Sequence, residues 1–205
     1  MFSVKSFFRS AAMAAVVISA ALPSYATIVI DQNAPTNDAY MAGFNQGDLA
    51  QSFQQSAGNI AGAGIYLQPL NNQAPATITI QLWDALPNVG GAAQLATGSV
   101  NVVSDNQWAD VFWSPVSITP ASTYYLVFLS DNSSYGISGD TGNNYASGQV
   151  YANSGFGSFP TFDYTFRTYA GDSLTGPQGS DVPEPAALAL FGLGLAGLGV
   201  MRRRK

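Results

Sequence analysis

Between Asp131 and Pro160 the chain is dense in Gly, Asn, Ser and Tyr, and side chains able to hold a ligand are concentrated there. Tyr135, Tyr145 and Tyr151, with Phe156 and Phe159, are interspersed with Asp131, Asp140, Asn143 and Asn144. Aromatic faces stack on the C–H faces of a sugar ring, while amides and carboxylates hydrogen-bond its hydroxyls. Tyr135, Tyr145, Tyr151, Asp140, Asn143 and Asn144 are therefore the candidate ligand-binding residues. The competing reading is that the aromatics pin a long loop onto its scaffold. Trp83, Trp108 and Trp113 read as core residues, with a sugar platform as the alternative.

Catalysis finds little material. The sequence has no His and no Cys, which removes Ser-His-Asp triads, His general bases and the usual zinc sites. Glu184 is the only Glu, so a glycosidase pair would have to be two Asp, and no Asp-x-Asp cluster suggests one. No catalytic residue is assigned, and the chain reads as non-enzymatic. Asp131 and Gly136 fit positions 1 and 6 of an EF-hand loop, but Ser133, Tyr135 and Gly142 stand where positions 3, 5 and 12 need ligands. The metal assignment stays open: no cofactor is required, and a structural calcium on scattered carboxylates such as Asp31 or Asp172 remains an alternative. Asn132-Ser133-Ser134 satisfies the N-glycosylation pattern without bearing on function.

Charge divides the chain. Every Lys and Arg except Arg167 falls within residues 1–26 or 202–205, whereas eleven Asp lie between residues 31 and 181, giving that stretch a net charge of −10. Nothing there can neutralise phosphates, so nucleic acid is excluded as a partner. The acidity fits solubility and mutual repulsion, with uptake of divalent cations as the alternative.

Both ends read as membrane-addressing segments. Residues 1–26 carry Lys5 and Arg9, an apolar stretch from Ala11 to Leu22, and the small-x-small site Ser24-Tyr25-Ala26. That is a secretory signal peptide, cut by signal peptidase after Ala26. At the other end Val182-Pro183-Glu184-Pro185 precedes the apolar run 186–201 and the basic cluster Arg202, Arg203, Arg204 and Lys205. The prolines cannot continue a helix upstream. Sixteen helical residues reach about 24 Å, short of a hydrocarbon core of roughly 30 Å, and snorkelling of the basic residues recovers part of the difference. The basic cluster acts as a topology anchor with a cytoplasmic C-terminus. Gly192-Leu193-Gly194-Leu195-Ala196-Gly197 satisfies G-x-G-x-x-G, but no acidic residue follows about 20 positions on, so these glycines read as helix-packing positions.

In this order the tail resembles the PEP-CTERM protein-sorting tail, a family also labelled as an ice-binding protein C-terminal domain. The resemblance implies export in a Gram-negative bacterium, transient residence in the inner membrane, and recognition of Pro183, Glu184 and Pro185 by an exosortase that cuts near the motif. It further implies a setting rich in exopolysaccharide. The protein is thus expected at the cell surface or in the extracellular matrix. Ice binding would call for a flat repeated Thr array, and Thr77-Ile78-Thr79 occurs once.

The elements between the two ends must position any site. Ile60–Leu67, Ala76–Trp83, Ser99–Val103, Gln107–Trp113, Thr123–Leu129 and Thr161–Tyr169 read as strands, with turn residues at 86–91 and Pro115 and Pro120 bracketing Val116-Ser117-Ile118. Thr123–Leu129 is apolar on both faces and is expected to be a central strand covered on both sides. In Thr161–Tyr169, Phe162, Tyr164 and Phe166 point inward, and Arg167 on the opposite face is expected to pair with a cross-strand Asp. The expected fold is all-β, a jelly-roll-like antiparallel β-sandwich over residues 27–169, with a flexible linker at 170–181 and the sorting tail at 182–205. The run Gln51-Ser52-Phe53, Gly64-Ile65-Tyr66-Leu67, Thr123-Tyr124-Tyr125-Leu126-Val127 and Phe166-Arg167-Thr168-Tyr169 is similar to bacterial jelly-roll, carbohydrate-binding-like domains. This implies contact with exopolysaccharide, the alternatives being a polysaccharide-acting enzyme that uses Asp carboxylates, or an ice-binding or adhesion protein.

Overall fold

The computed structural model describes residues 27–69, 74–104 and 106–171. The expected cleavage point at Ala26, Asp172 and the whole tail, including Val182–Pro185 and Arg202–Lys205, lie outside the described residues.

Ala76–Trp83 (β5) sets the pattern for one sheet. Ile78, Ile80 and Leu82 are completely buried, while Thr77, Thr79, Gln81 and Trp83 take the other face and are half-buried. Each fully buried Ile or Leu contributes roughly 1.5–3 kcal/mol. This strand is hydrogen-bonded to Gln94–Val102 (β6) on one side and Thr123–Ser130 (β8) on the other. Beyond β8 follow Leu49–Gln54 (β3), Val150–Ala152 (β10) and Gly157–Phe159 (β11), giving a six-stranded antiparallel sheet in the order β11-β10-β3-β8-β5-β6.

The second sheet is seven-stranded and organised on Asn59–Pro69 (β4). One side of β4 takes Gln107–Ser117 (β7), and the other takes Phe166–Ala170 (β13), which pairs in turn with Val29–Ala34 (β1). Past the end of β13, β4 pairs with Tyr135–Asp140 (β9), which also holds Ala39–Gly43 (β2) and Asp163–Tyr164 (β12). All pairings are antiparallel, and the two sheets close on one core in which Phe53, Ile65, Leu67, Phe128, Tyr164 and Phe166 are buried. The described residues therefore form an all-β, two-sheet sandwich. The segment 131–160, read above as one long loop, contains β9, β10 and β11, and β9 is buried along its whole length. Residues 107–117 form one strand through Pro115, and Asp163 and Thr165, expected opposite the core, are themselves buried.

Arg167 finds its aspartate two strands away. It lies opposite Gly64 on β4, and Gly64 lies opposite Asp110 on β7. The Arg167 guanidinium makes a two-pronged ion pair with Asp110 across the bare glycine, and the Tyr169 hydroxyl donates to the same carboxylate at 2.7 Å. A methyl group on Gly64 would lie 2.0 Å from the Asp110 Oδ1, so only glycine admits this crossing. Arg167 also stacks 4.0 Å from the centre of the Trp108 ring. Trp108 is thus a half-buried member of an outer-face ladder rather than a core residue, whereas Trp113 is buried and donates to the Ile60 carbonyl at 3.1 Å. Burial pulls the Arg167 pKa down, but the bonds to Asp110 outweigh it and leave the group above its ordinary value. Asp110→Ala strands both the guanidinium and the Tyr169 hydroxyl, and is expected to cost about 2 kcal/mol in urea unfolding.

Candidate functional site

The outer face of the six-stranded sheet carries no charged side chain on its described strands. Antiparallel register places Trp83 beside Tyr125, Gln81 beside Val127, and Thr79 beside Leu129. On β3, Ala50 lies beside Val127 and Ser52 beside Tyr125, and Tyr151 on β10 lies beside Ala50. The rings of Tyr125 and Tyr151 meet edge to face, 5.8 Å apart. Trp83, Tyr125 and Tyr151 thus form one half-buried aromatic group, and Leu129 is 44% exposed further along the same face.

Polar groups flank the rings. The Trp83 indole donates to the Gln81 Oε1 at 2.9 Å, which leaves the amide nitrogen of Gln81 as a free donor direction. Thr79 bonds Ser99 at 2.8 Å and Thr77 donates to Asn101 at 3.1 Å, so the hydroxyl rows on β5 and β6 are joined laterally. Burial first, then the adjoining Tyr151 hydroxyl, raises the Tyr125 pKa and keeps it a neutral donor and acceptor. Rings, amides and hydroxyls on an uncharged surface suit a partner that is neutral and hydroxyl-rich.

The candidate residues of the 131–160 stretch are dispersed. Tyr135 is completely buried on β9, with no hydrogen-bond partner for its hydroxyl among the described residues. Asp140 is buried and accepts from the backbone N–H groups of Gly142 and Asn144, so it caps the loop that follows β9. Asn143 is exposed in a left-handed conformation (φ 52°), and Asn144 also donates its side-chain amide to Asp140. Tyr145 turns inward: its ring meets Phe166 edge to face at 5.0 Å and its hydroxyl donates to Gln32 at 2.9 Å. Gln32 and Gln54, both bonded to that hydroxyl, also line an uncharged groove of 340 Å³. Asp140 to Tyr145 form one structural loop, and Tyr151 alone of the six joins the aromatic face. Trp83 was read from the sequence as a core residue with a sugar platform as the alternative, whereas it lies half-buried on the outer face; Tyr125 was not singled out as a ligand residue, although the double-faced strand 123–129 held the signal for it.

The aspartates act as hydrogen-bond acceptors for loops. Asp31 takes the backbone N–H groups of Ser56 (2.7 Å) and Ala57 (3.2 Å), Asp48 that of Gly155, Asp84 that of Ala93, and Asp131 that of Thr77. Among the described residues no group of three or more acidic side chains is placed to hold a metal ion. Asp163 is buried beside Asp140 in the β9–β12 pairing, accepting from the Tyr145 backbone at 2.9 Å and from Gln51 at 3.2 Å. Burial is the main cause of its raised pKa, with the Asp140 charge adding to it. The native state therefore takes up this proton before the unfolded chain does. This contribution to stability is complete below the ordinary carboxylate value and is lost as pH rises through the folded one. On acidification from neutral pH towards 4, the wild type is expected to gain stability relative to Asp163→Asn, which has no proton to exchange. Melting temperatures of the two measured in parallel across that range test this, and a constant difference contradicts it.

Comparison with known families adds the other end of the chain. Residues 181–205 match the PEP-CTERM protein-sorting motif. The sandwich defines no activity, but this motif implies an exported, cell-surface protein handled by an exosortase. No curated protein and no solved structure matches the chain. Among the described residues no helix is long and apolar enough to cross a membrane, and the tail lies beyond them.

Proposed function

We propose that this is a non-enzymatic surface or matrix protein of a Gram-negative bacterium, sorted by exosortase, whose sandwich associates with neutral exopolysaccharide. One observation carries the reading: the domain has a single Arg against many Asp, yet the outer face of its six-stranded sheet is free of charge and displays Trp83, Tyr125 and Tyr151 together. A sugar ring can stack on such a face while its hydroxyls pair with Gln81 and the tyrosine hydroxyls. The domain's net negative charge opposes polyanionic glycans, so the partner is a neutral polymer. A jelly-roll ancestry for the sandwich belongs to the same proposal. So do the leader ending at Ala26, the transient tail helix 186–201 and the cytoplasmic basic end.

The non-catalytic part of the reading rests on how the carboxylates are used. Asp140 and Asp163 are the buried neighbouring pair, and both spend their oxygens on loop N–H groups and on Gln51. Structural calcium at Asp31 is disfavoured for the same reason. The test is retention of the purified protein on immobilised neutral and anionic polysaccharides, with and without Ca²⁺. Selective retention on neutral polymers is expected. Equal passage through every column overturns the binding role, and release of reducing sugar overturns the non-enzymatic one.

A further inference from the structure

The uncharged groove beside Tyr145 continues the line of the aromatic face. Phe53 belongs to the core and Gln51 bonds the buried Asp163, so strand alternation turns Ala50, Ser52 and Gln54 outward on β3. Opposite them on β8 stand Val127, Tyr125 and Thr123. Gln54 therefore lies about 7 Å along the strand from the row that carries Tyr125. The groove opens there. One wall is Ser147, from the loop that bonds Ser52 on the β10 side of β3. The other is the turn at Pro120 and Ala121, which leads into β8 and is fixed by the Ala121 N–H donating to the Gln55 carbonyl at 2.9 Å. Ser56, just past the end of β3, and Gln32 from β1 complete the lining.

Hydrogen-bonding capacity of both kinds is left over in this groove. Among the described residues the exposed Ser147 hydroxyl and the Gln54 side-chain oxygen have no partner, and the Gln54 amide nitrogen makes only a 3.5 Å contact with Thr123. The Ser56 hydroxyl accepts from Gln32 at 3.0 Å, which leaves its own hydrogen to donate. Sugar hydroxyls both donate and accept, and no charged side chain belongs to the lining. We propose that the groove is a second subsite for the neutral polysaccharide, so that the glycan runs along β3 and β8 from the Tyr125 ring to Gln54 and Ser147 instead of across the strands from Trp83 to Tyr151. This subsite rests on the polysaccharide-binding role proposed above, and it gives the bound chain a direction.

Hexasaccharides of dextran, laminarin and galactomannan serve as probes, titrated by calorimetry into the full chain in lipid nanodiscs. Wild type is expected to bind at least one of them. For that sugar Gln54→Ala is expected to weaken binding about fivefold, the factor one neutral hydrogen bond supplies. Ser147→Leu, which narrows the groove with an apolar side chain, should weaken it at least as much. Both variants should keep the wild-type melting temperature, because Gln54 holds the Tyr145 hydroxyl through its backbone and Ser147 is exposed. Unchanged affinity in the two folded variants overturns the subsite and leaves the aromatic face standing as the binding surface. Failure of the wild type to bind any of the probes removes the polysaccharide-binding role itself, and the subsite with it.

Discussion

Gly148→Ala is expected to lower the melting temperature by about 6–12 °C, the equivalent of about 3 kcal/mol in a chain of this size. A methyl group at residue 148 would lie 1.9 Å from the Ser52 carbonyl oxygen and 2.8 Å from its carbonyl carbon. Both atoms are backbone, so relief requires moving β3 or the loop rather than rotating a side chain. The contact sits where the 141–149 loop docks: the Ser52 N–H donates to the Gln149 carbonyl at 3.0 Å, and the Gln149 N–H donates to the Ser52 hydroxyl at 2.9 Å. Two residues later the chain delivers Tyr151 to the outer face, so the same substitution should also weaken ligand retention. Gly90→Ala, where a methyl group meets nothing within 4 Å, is the control and should leave the melting temperature within a degree or two. Equal melting temperatures for the two variants, read by circular dichroism, would contradict the docking role assigned to Gly148.

The second large effect concerns location. Changing Pro183, Glu184 and Pro185 together to Ala removes the motif contained in the matched residues 181–205 while leaving the apolar run and the basic cluster in place. Export is expected to proceed, because the proposed leader at residues 1–26 is untouched. Processing is expected to fail, so nearly all of the protein should accumulate uncut in the inner-membrane fraction, with its tail retained in the intact mass. Release of this variant at the wild-type level would show that the motif is not what directs sorting.

Alternation made much of this fold legible. Ala76–Trp83 falls on the expected residues, because its apolar and polar side chains alternate without interruption and its neighbours cover one face only. Thr123–Leu129 was identified as a central strand for the opposite reason, that both its faces are apolar, and β8 indeed lies between β3 and β5. Its second apolar face was expected to be covered, whereas Tyr125 is half-buried and Leu129 is 44% exposed on the outer surface. Pattern alone cannot separate a covered apolar face from an aromatic platform, since the residue types are the same and the difference lies in what packs above them.

The strand β9 was hidden for a different reason. Tyr135-Gly136-Ile137-Ser138-Gly139-Asp140 has no two-residue period, because β9 is buried on both faces by close backbone approach rather than by bulky side chains. At Gly139 a methyl group would meet the Asp163 carbonyl oxygen at 2.4 Å. Composition then reads as loop what pairing makes a strand. Likewise, Tyr135, Tyr145 and Tyr151 share a stretch of sequence but end in a sheet interior, under a loop, and on an outer face. The Arg167–Asp partnership was legible as chemistry, while the partner, Asp110, was not, because it lies across an intervening strand that only Gly64 leaves open.

The most direct test of the account is the affinity of the exported protein for a neutral exopolysaccharide, measured by calorimetry for wild type and for Trp83→Ala combined with Tyr125→Ala. Both side chains are partly exposed on the outer face, so the fold should survive and its melting transition can be checked in the same samples. Buried aromatic anchors at binding surfaces each contribute about 2 kcal/mol or more, which corresponds to about thirtyfold in affinity. The account predicts loss of binding by about thirtyfold or more in the folded double variant, with Trp108→Ala on the opposite sheet leaving affinity unchanged. Binding retained by the double variant, or lost equally on changing Trp108, would contradict it.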